Sequence, residues 1–79
     1  MSKPNTREAI AAEVRAAAGR AGKKQADLVL STSISRQSLS RKWNGKAPFM
    51  VDELIEIAKA LDISPSDLLP PLADQSIAA

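Results

Sequence analysis

Apolar side chains recur along this chain at helical spacing, and no segment alternates with the period of two that marks a half-buried strand. Ile10, Val14, Ala17 and Ala21 fall on one face of an Ala-rich run. That run predicts a first helix, capped by Asn5 or Thr6, with Glu8 in its opening turn and an end near Arg20. Gly19 and Gly22 in "GRAGKK" supply the punctuation after it. A short second helix follows in "KQADLVLS", with Ala26, Leu28 and Val29 as its apolar side, and "STS" interrupts it because hydroxyl side chains compete for backbone partners.

The third helix carries the clearest local pattern. With Ser35 as N-cap, Ile34 stands at N′ and Leu39 at N4, the two positions that pack together as a hydrophobic staple. Trp43, four residues after Leu39, extends the same narrow stripe, and Asn44-Gly45 stops the helix. A fourth helix runs from about Val51 to Ala60, burying Leu54, Ile57, Ala58 and Leu61, with Asp52 and Glu53 near its positive N-terminus. A fifth begins in "DISPSDLL", where Ser64 is the N-cap, Pro65 takes the permitted first position and Asp67 answers the cap. Pro70 and Pro71 end it. The pattern predicts an all-α fold, a compact bundle of about five short helices: one domain over residues 1–69 and a flexible tail over 70–79.

Composition adds three constraints. At 79 residues and 44 % apolar the chain can build one small core, and with no Cys it has neither disulfides nor thiolate metal sites to staple it. "MSKPNTREAI" has no apolar run resembling a signal peptide, and no stretch approaches the roughly 20 apolar residues of a membrane span. The expectation is a cytoplasmic protein with no membrane partner. The net charge of +2 conceals a polarised chain: ten Lys or Arg against three acids up to Pro48 give +7, whereas Lys59 alone against six acids beyond it gives −5. Such asymmetry points to an anionic partner on one side.

The staple orients the third helix. With Leu39 and Trp43 inward, the helical period sends Gln37 and Arg41 outward, flanked by Ser38, Ser40 and Asn44, while Arg36 projects from the first turn. That face holds donors and acceptors and no carboxylate. It suits base edges, since Arg pairs two-pronged with guanine and Gln with adenine, and Ser leaves room for close approach. Two helices joined by a tight turn, the second polar outward, form a helix-turn-helix that places a recognition helix at about 35–44 in the major groove of double-stranded DNA. Arg20, Lys23 and Lys24 beside the second helix either touch phosphate or stay solvated. Trp43 could stack on a base, but its register with Leu39 assigns it to the core.

From about Gly22 to Leu69 the chain resembles the phage-repressor or Cro-like (XRE-type, lambda-repressor-like) helix-turn-helix domain of bacterial and phage transcription regulators. The resemblance rests on "KQADLVLSTSISRQSLSRKWNGK" and on the closing "VDELIEIAKALDISPSDLL". It implies base contacts from Arg36, Gln37 and Arg41, with a phosphate clamp at Gln25 and backbone contacts at Asn44 and Lys46. Lys23, Lys24, Ser38, Ser40 and Lys42 complete the expected backbone set, Lys42 lying between the inward and outward faces. Three positions depart from the family pattern. Val29 stands where a small residue is usual, which would space the two helices slightly apart. Ser33 replaces a Gly and would need the left-handed region at some cost. Met50 replaces a Ser or Thr and would leave the fourth helix without a side-chain cap.

The implied function is a phage- or bacterial-type transcription regulator that occupies an operator and occludes or repositions polymerase. Two other readings stay open: a DNA-architectural factor of the same fold, for instance in recombination, and a protein-interaction module docking a basic partner on the acidic half. Leu69, Leu72, Ile77 and Ile55 are either a dimer contact or a core edge, and a homodimer, formed if need be on DNA, would suit two half-sites. No enzyme is expected: without His or Cys the Ser residues have no general base beside them. No cofactor, metal or effector pocket is legible either.

Overall fold

The computed structural model describes residues 6–70. Four α-helices follow in order, α1 (Thr6–Arg20), α2 (Gln25–Ser31), α3 (Arg36–Trp43) and α4 (Val51–Leu61), and a single 3₁₀ turn spans Pro65–Leu68. Helix α1 packs on α3 and the 3₁₀ turn, α2 on α3 and α4, and α4 on the 3₁₀ turn. They enclose one core: Ala11, Val14, Ala17 and Ala18 from α1, Leu28 from α2, Ile34 and Leu39 around the start of α3, Phe49, then Leu54, Ile57, Ala58 and Leu61 from α4, and Leu68. Ile10, Val29, Trp43, Ala60 and Ile63 pack around it, half-buried. Among the described residues no polar or charged side chain is buried in this core.

The all-helical fold agrees with the sequence pattern, with corrections at particular residues. In α1 the inward face is Ala11, Val14, Ala17 and Ala18, whereas Ala21 is exposed just past the helix end. Gly22, at φ +71°, ends the helix. The Lys23 amide donates back to the Ala18 carbonyl at 2.8 Å and the Gly22 amide to Gly19 at 3.1 Å, the doubled bond of a Schellman cap. Gly19 itself lies inside the helix. In α2 only Leu28 is fully buried; Ala26 is exposed and Leu30 lies 86 % in solvent, so a seven-residue helix contributes one anchor and a half-buried Val29.

The fifth helix is shorter than the sequence suggested. Its cap forms as expected, the Ser64 amide donating to Asp67 at 3.2 Å with Pro65 in the first position. Leu69 then turns extended (φ −98°, ψ 141°), the conformation that a following Pro imposes on its neighbour, so a single 3₁₀ turn is all that fits. It buries Leu68 completely. Asn5 as a cap and the tail from Pro71 onward, including Leu72 and Ile77, lie outside the described residues.

Of the three family departures, Ser33 resolves differently from expectation and Met50 as expected, leaving α4 without a side-chain N-cap. Ser33 does not occupy the left-handed region: Asp62, at φ 59°, is the one non-glycine residue with positive φ among those described. Met50 offers no side-chain acceptor, but the Glu53 carboxylate accepts its amide at 2.8 Å and so replaces half of a capping box.

Both α3 and α4 also end in doubled caps. Gly45, at φ +76°, lets the Lys46 amide reach the Arg41 carbonyl at 2.9 Å, and Asp62 does the same for Ile63 and Ala58 at 2.9 Å. A Cβ on Gly45 would come within 3.1 Å of the Glu8 Cγ on α1, so this glycine answers both to backbone conformation and to close helix approach. Gly45→Ala should destabilise the domain by about 1–2 kcal/mol, and Asp62→Gly should stabilise it by about 0.5–1 kcal/mol, by urea denaturation. Shifts of the same sign for both variants would contradict this account of the two caps.

Candidate nucleic-acid interface

Helix α3 is short, and isolated segments of eight residues do not hold helical structure in water. Its order must come from caps and from its neighbours. The Ser35 hydroxyl accepts the Ser38 amide at 3.2 Å, and Ile34 and Leu39 are both buried, so the staple predicted from sequence is present. Trp43 is half-buried against the core rather than enclosed by it.

The burial of Leu39 leaves Gln37, Arg41 and Asn44 exposed on the opposite face, with Ser38 and Ser40 half-buried along its flanks and Arg36 exposed in the first turn. The Asn44 amide group folds back to donate to the Ser40 carbonyl at 2.8 Å. Lys23 and Lys24 are exposed before α2, Gln25 is half-buried as its first residue, and Lys46 is exposed beyond α3. These residues all lie in the α2–turn–α3 unit or its immediate flanks. The Lys42 ammonium is paired with Glu53 of α4, the two side chains 13 % and 18 % exposed.

Four contacts that sequence reasoning missed hold this unit in place. Glu56 of α4 takes both donors of Ser33 in the turn, the amide at 2.7 Å and the hydroxyl at 2.8 Å. Glu53 takes Lys42. From α1, Arg15 Nη1 donates to the Trp43 carbonyl at 2.6 Å, at the negative C-terminal end of α3, and Arg7 Nη1 to the Lys46 carbonyl at 3.4 Å in the loop after it. The signals for these partnerships are faint in a linear sequence. Glu53 and Glu56 flank the buried stripe of α4 three residues apart, but their partners come from another element.

The charge pattern has a second peculiarity. Arg36 opens α3 and Lys24 immediately precedes α2, and the first turn of α3 contains no acid. Cations at helix N-termini oppose the helix dipole, an arrangement unfavourable by about 0.3–1 kcal/mol each. Folding does not ask for these charges.

A scan of known families matches residues 14–74 to the Cro/C1-type helix-turn-helix DNA-binding domain. Among solved structures, the chain is similar to the clp gene regulator ClgR from C. glutamicum, with a TM-score of 0.77 and 24 % identity over 96 % of this chain and 95 % of that one. It is also similar to the hypothetical transcription factor NHTF from Neisseria, with a TM-score of 0.76 and 18 % identity over 100 % of this chain and 94 % of that one. At these identities the likeness is one of fold. No curated protein matches the sequence.

The Ser33 contacts, the backbone bond foremost, hold the Glu56 carboxyl below the ordinary glutamate range, aided by Lys59 on the same helix. Because the folded value is the lower one, the contact contributes stability above the ordinary range and loses it as pH falls through the lowered value. NMR titration should find Glu56 the more acidic in the folded protein, and Ser33→Ala should raise it part of the way back, since the backbone bond survives. An unchanged titration in Ser33→Ala would show that the hydroxyl contributes nothing.

Proposed function

This chain belongs to the Cro/C1-type helix-turn-helix DNA-binding domain family, and from that premise we propose that it is a cytoplasmic transcription regulator of phage or bacterial type that occupies an operator with α3 in the major groove. The observation carrying the proposal is the outward surface of α3: Gln37 and Arg41 exposed opposite the fully buried Leu39, Arg36 exposed in the first turn, and no acid among them. Arg36 and Arg41 suit guanine O6 and N7, and Gln37 suits adenine N6 and N7. Gln25, Lys23, Lys24, Ser38, Ser40, Asn44 and Lys46 seat the domain on phosphates without reading sequence. Regulation then follows from occupancy, by blocking or repositioning polymerase.

The acidic half offers less to a basic partner protein than its formal charge suggests. Glu53 and Glu56 are committed to Lys42 and Ser33, and Asp67 to the Ser64 amide. Those contacts favour the DNA reading over an interaction module. On a duplex selected from a random pool, Arg41→Ala should lose about 1–3 kcal/mol of binding and relax preference at one base position. Lys46→Ala should weaken all sequences alike and flatten the slope of log affinity against log salt by about 0.9. Unchanged cognate affinity in Arg41→Ala, measured by fluorescence anisotropy, would remove that residue from base readout.

One domain reaches one half-site, so we further propose a homodimer, assembled at the latest on DNA. Support comes from α4 and the 3₁₀ turn. Val51, Ile55 and Leu69 are exposed there, at 71 %, 38 % and 42 %, and with Pro65 they line an apolar groove over the buried Leu54. Exposed Asp52 and Lys59 flank Ile55 on the same helix. An antiparallel pairing of two α4 helices centred near Ile55 would set each Asp52 beside the other copy's Lys59 and cover the apolar residues. Ile55→Asp should halve the stoichiometry on a two-half-site duplex in sedimentation and spare binding to a single half-site. Equal loss on both duplexes would count against the dimer.

A further inference from the structure

We propose that Glu56 is a positioning residue for the recognition helix, clamping the turn before α3 to the rigid centre of α4 so that Arg36, Gln37 and Arg41 meet the groove in a fixed rotational setting. The inference rests on the DNA-binding reading above. The clamp is two-pronged: Glu56 Oε1 accepts the Ser33 amide at 2.7 Å and Oε2 accepts the Ser33 hydroxyl at 2.8 Å, across 23 residues of sequence. Two bonds from one carboxylate to one residue constrain direction as well as distance. Its anchor is stiff, because the next two residues of α4, Ile57 and Ala58, have no solvent exposure at all.

A second contact on the same helix makes the clamp effective. Glu53, one turn before Glu56, holds Lys42 in the last turn of α3. The chain entering α3 and the last turn of α3 are thus tied to one element. The staple alone leaves freedom that these ties remove: two apolar side chains, Ile34 and Leu39, form a narrow pivot about which a short helix can roll. A side-chain atom about 5–6 Å from the helix axis moves about 2 Å in a roll of about 20°. Hydrogen bonds to base edges tolerate a few tenths of an ångström about 2.7–3.2 Å. Such a roll leaves the core intact and the helix folded, yet takes Gln37 and Arg41 off their targets.

The alternative is that Glu56 merely stabilises the fold. Surface contacts of this kind contribute little to folding, and the neighbouring apolar burial is far larger. Stability and positioning also move different observables. Partial unfolding lowers cognate and random-duplex binding together, in proportion to the folded fraction, whereas loss of rotational setting lowers the cognate affinity and spares phosphate contacts that any sequence provides.

The test compares the full chain with Glu56→Ala, Glu56→Gln and Ser33→Ala on two probes, a duplex selected from a random pool and a scrambled duplex of the same length, with amide exchange at Ser33 read by NMR. The expected result is a cognate-to-scrambled affinity ratio about tenfold lower in Glu56→Ala, with scrambled binding unchanged and Ser33 exchanging faster. Glu56→Gln, which keeps one acceptor, should recover part of the ratio, and Ser33→Ala should fall between. Combined with Glu56→Ala, Ser33→Ala should add nothing. A wild-type ratio in Glu56→Ala with Ser33 demonstrably released would overturn the clamp and leave the DNA-binding function standing. Absence of binding to either duplex by the unaltered chain would overturn both. Were Glu56→Ala to unfold, the two milder variants decide the matter by the same ratio.

Discussion

The seating of Ile34 and Leu39 in the core decides what the rest of this molecule can be. These two side chains, at 4 % and 0 % exposure, bracket the Ser35 cap and fix which side of an eight-residue helix faces inward. Which side of α3 carries its chemistry follows from that seating. Gln37 and Arg41 face outward because about 100° per residue puts each of them nearly opposite Leu39, and Arg36 is exposed in the first turn. Turned by one residue, the same helix would bury polar side chains without partners, at a cost a small core could not offset.

Such a core has little area to spend on four helices, and the termini compensate. Helices α1, α3 and α4 each end in a left-handed residue with a doubled backbone bond, at Gly22, Gly45 and Asp62. Carboxylates serve the starts of two helices. Asp27 accepts the Lys24 amide at 2.8 Å before α2, and Glu53 does the same for Met50 before α4, in each case where the capping residue itself lacks an oxygen. The acids of α4 therefore act twice, ordering their own helix and holding the neighbouring turn and helix. The formal polarity of the chain, positive before Pro48 and negative after it, is in part the imprint of these internal pairs.

What was legible in the sequence was what is local. The α3 staple, its Ser cap, the Asn-Gly stop and the buried stripe of α4 each depend on residues three to five apart, and each stands where periodicity puts it. The failures share a cause. Ala21 and Ala26 looked inward on a helical wheel, but the helix ended before one and no neighbour covered the other. The pairing of Lys42 with Glu53 was not visible either, since the two stand on different helices. Ser33 looked strained because a family pattern puts Gly there; the contact with Glu56 and a non-left-handed backbone replace that strain. Arg15 reaches Trp43 across 28 residues and Glu56 reaches Ser33 across 23, separations over which no short-range rule operates. The outward face of the candidate interface could be drawn from sequence, whereas the devices that hold it still could not.

The central claim is that the side of α3 opposite Leu39 is a binding face for duplex DNA. The most direct measurement is an NMR titration of the isotope-labelled chain with a duplex drawn from a random pool, following backbone amides and the Gln37 and arginine side chains. The account predicts the largest perturbations at Arg36, Gln37 and Arg41, smaller ones at Gln25, Asn44 and Lys46, and none at the buried Ile57 and Leu68. Perturbations confined to the face of Val51 and Leu69, with α3 silent at saturation, would contradict it.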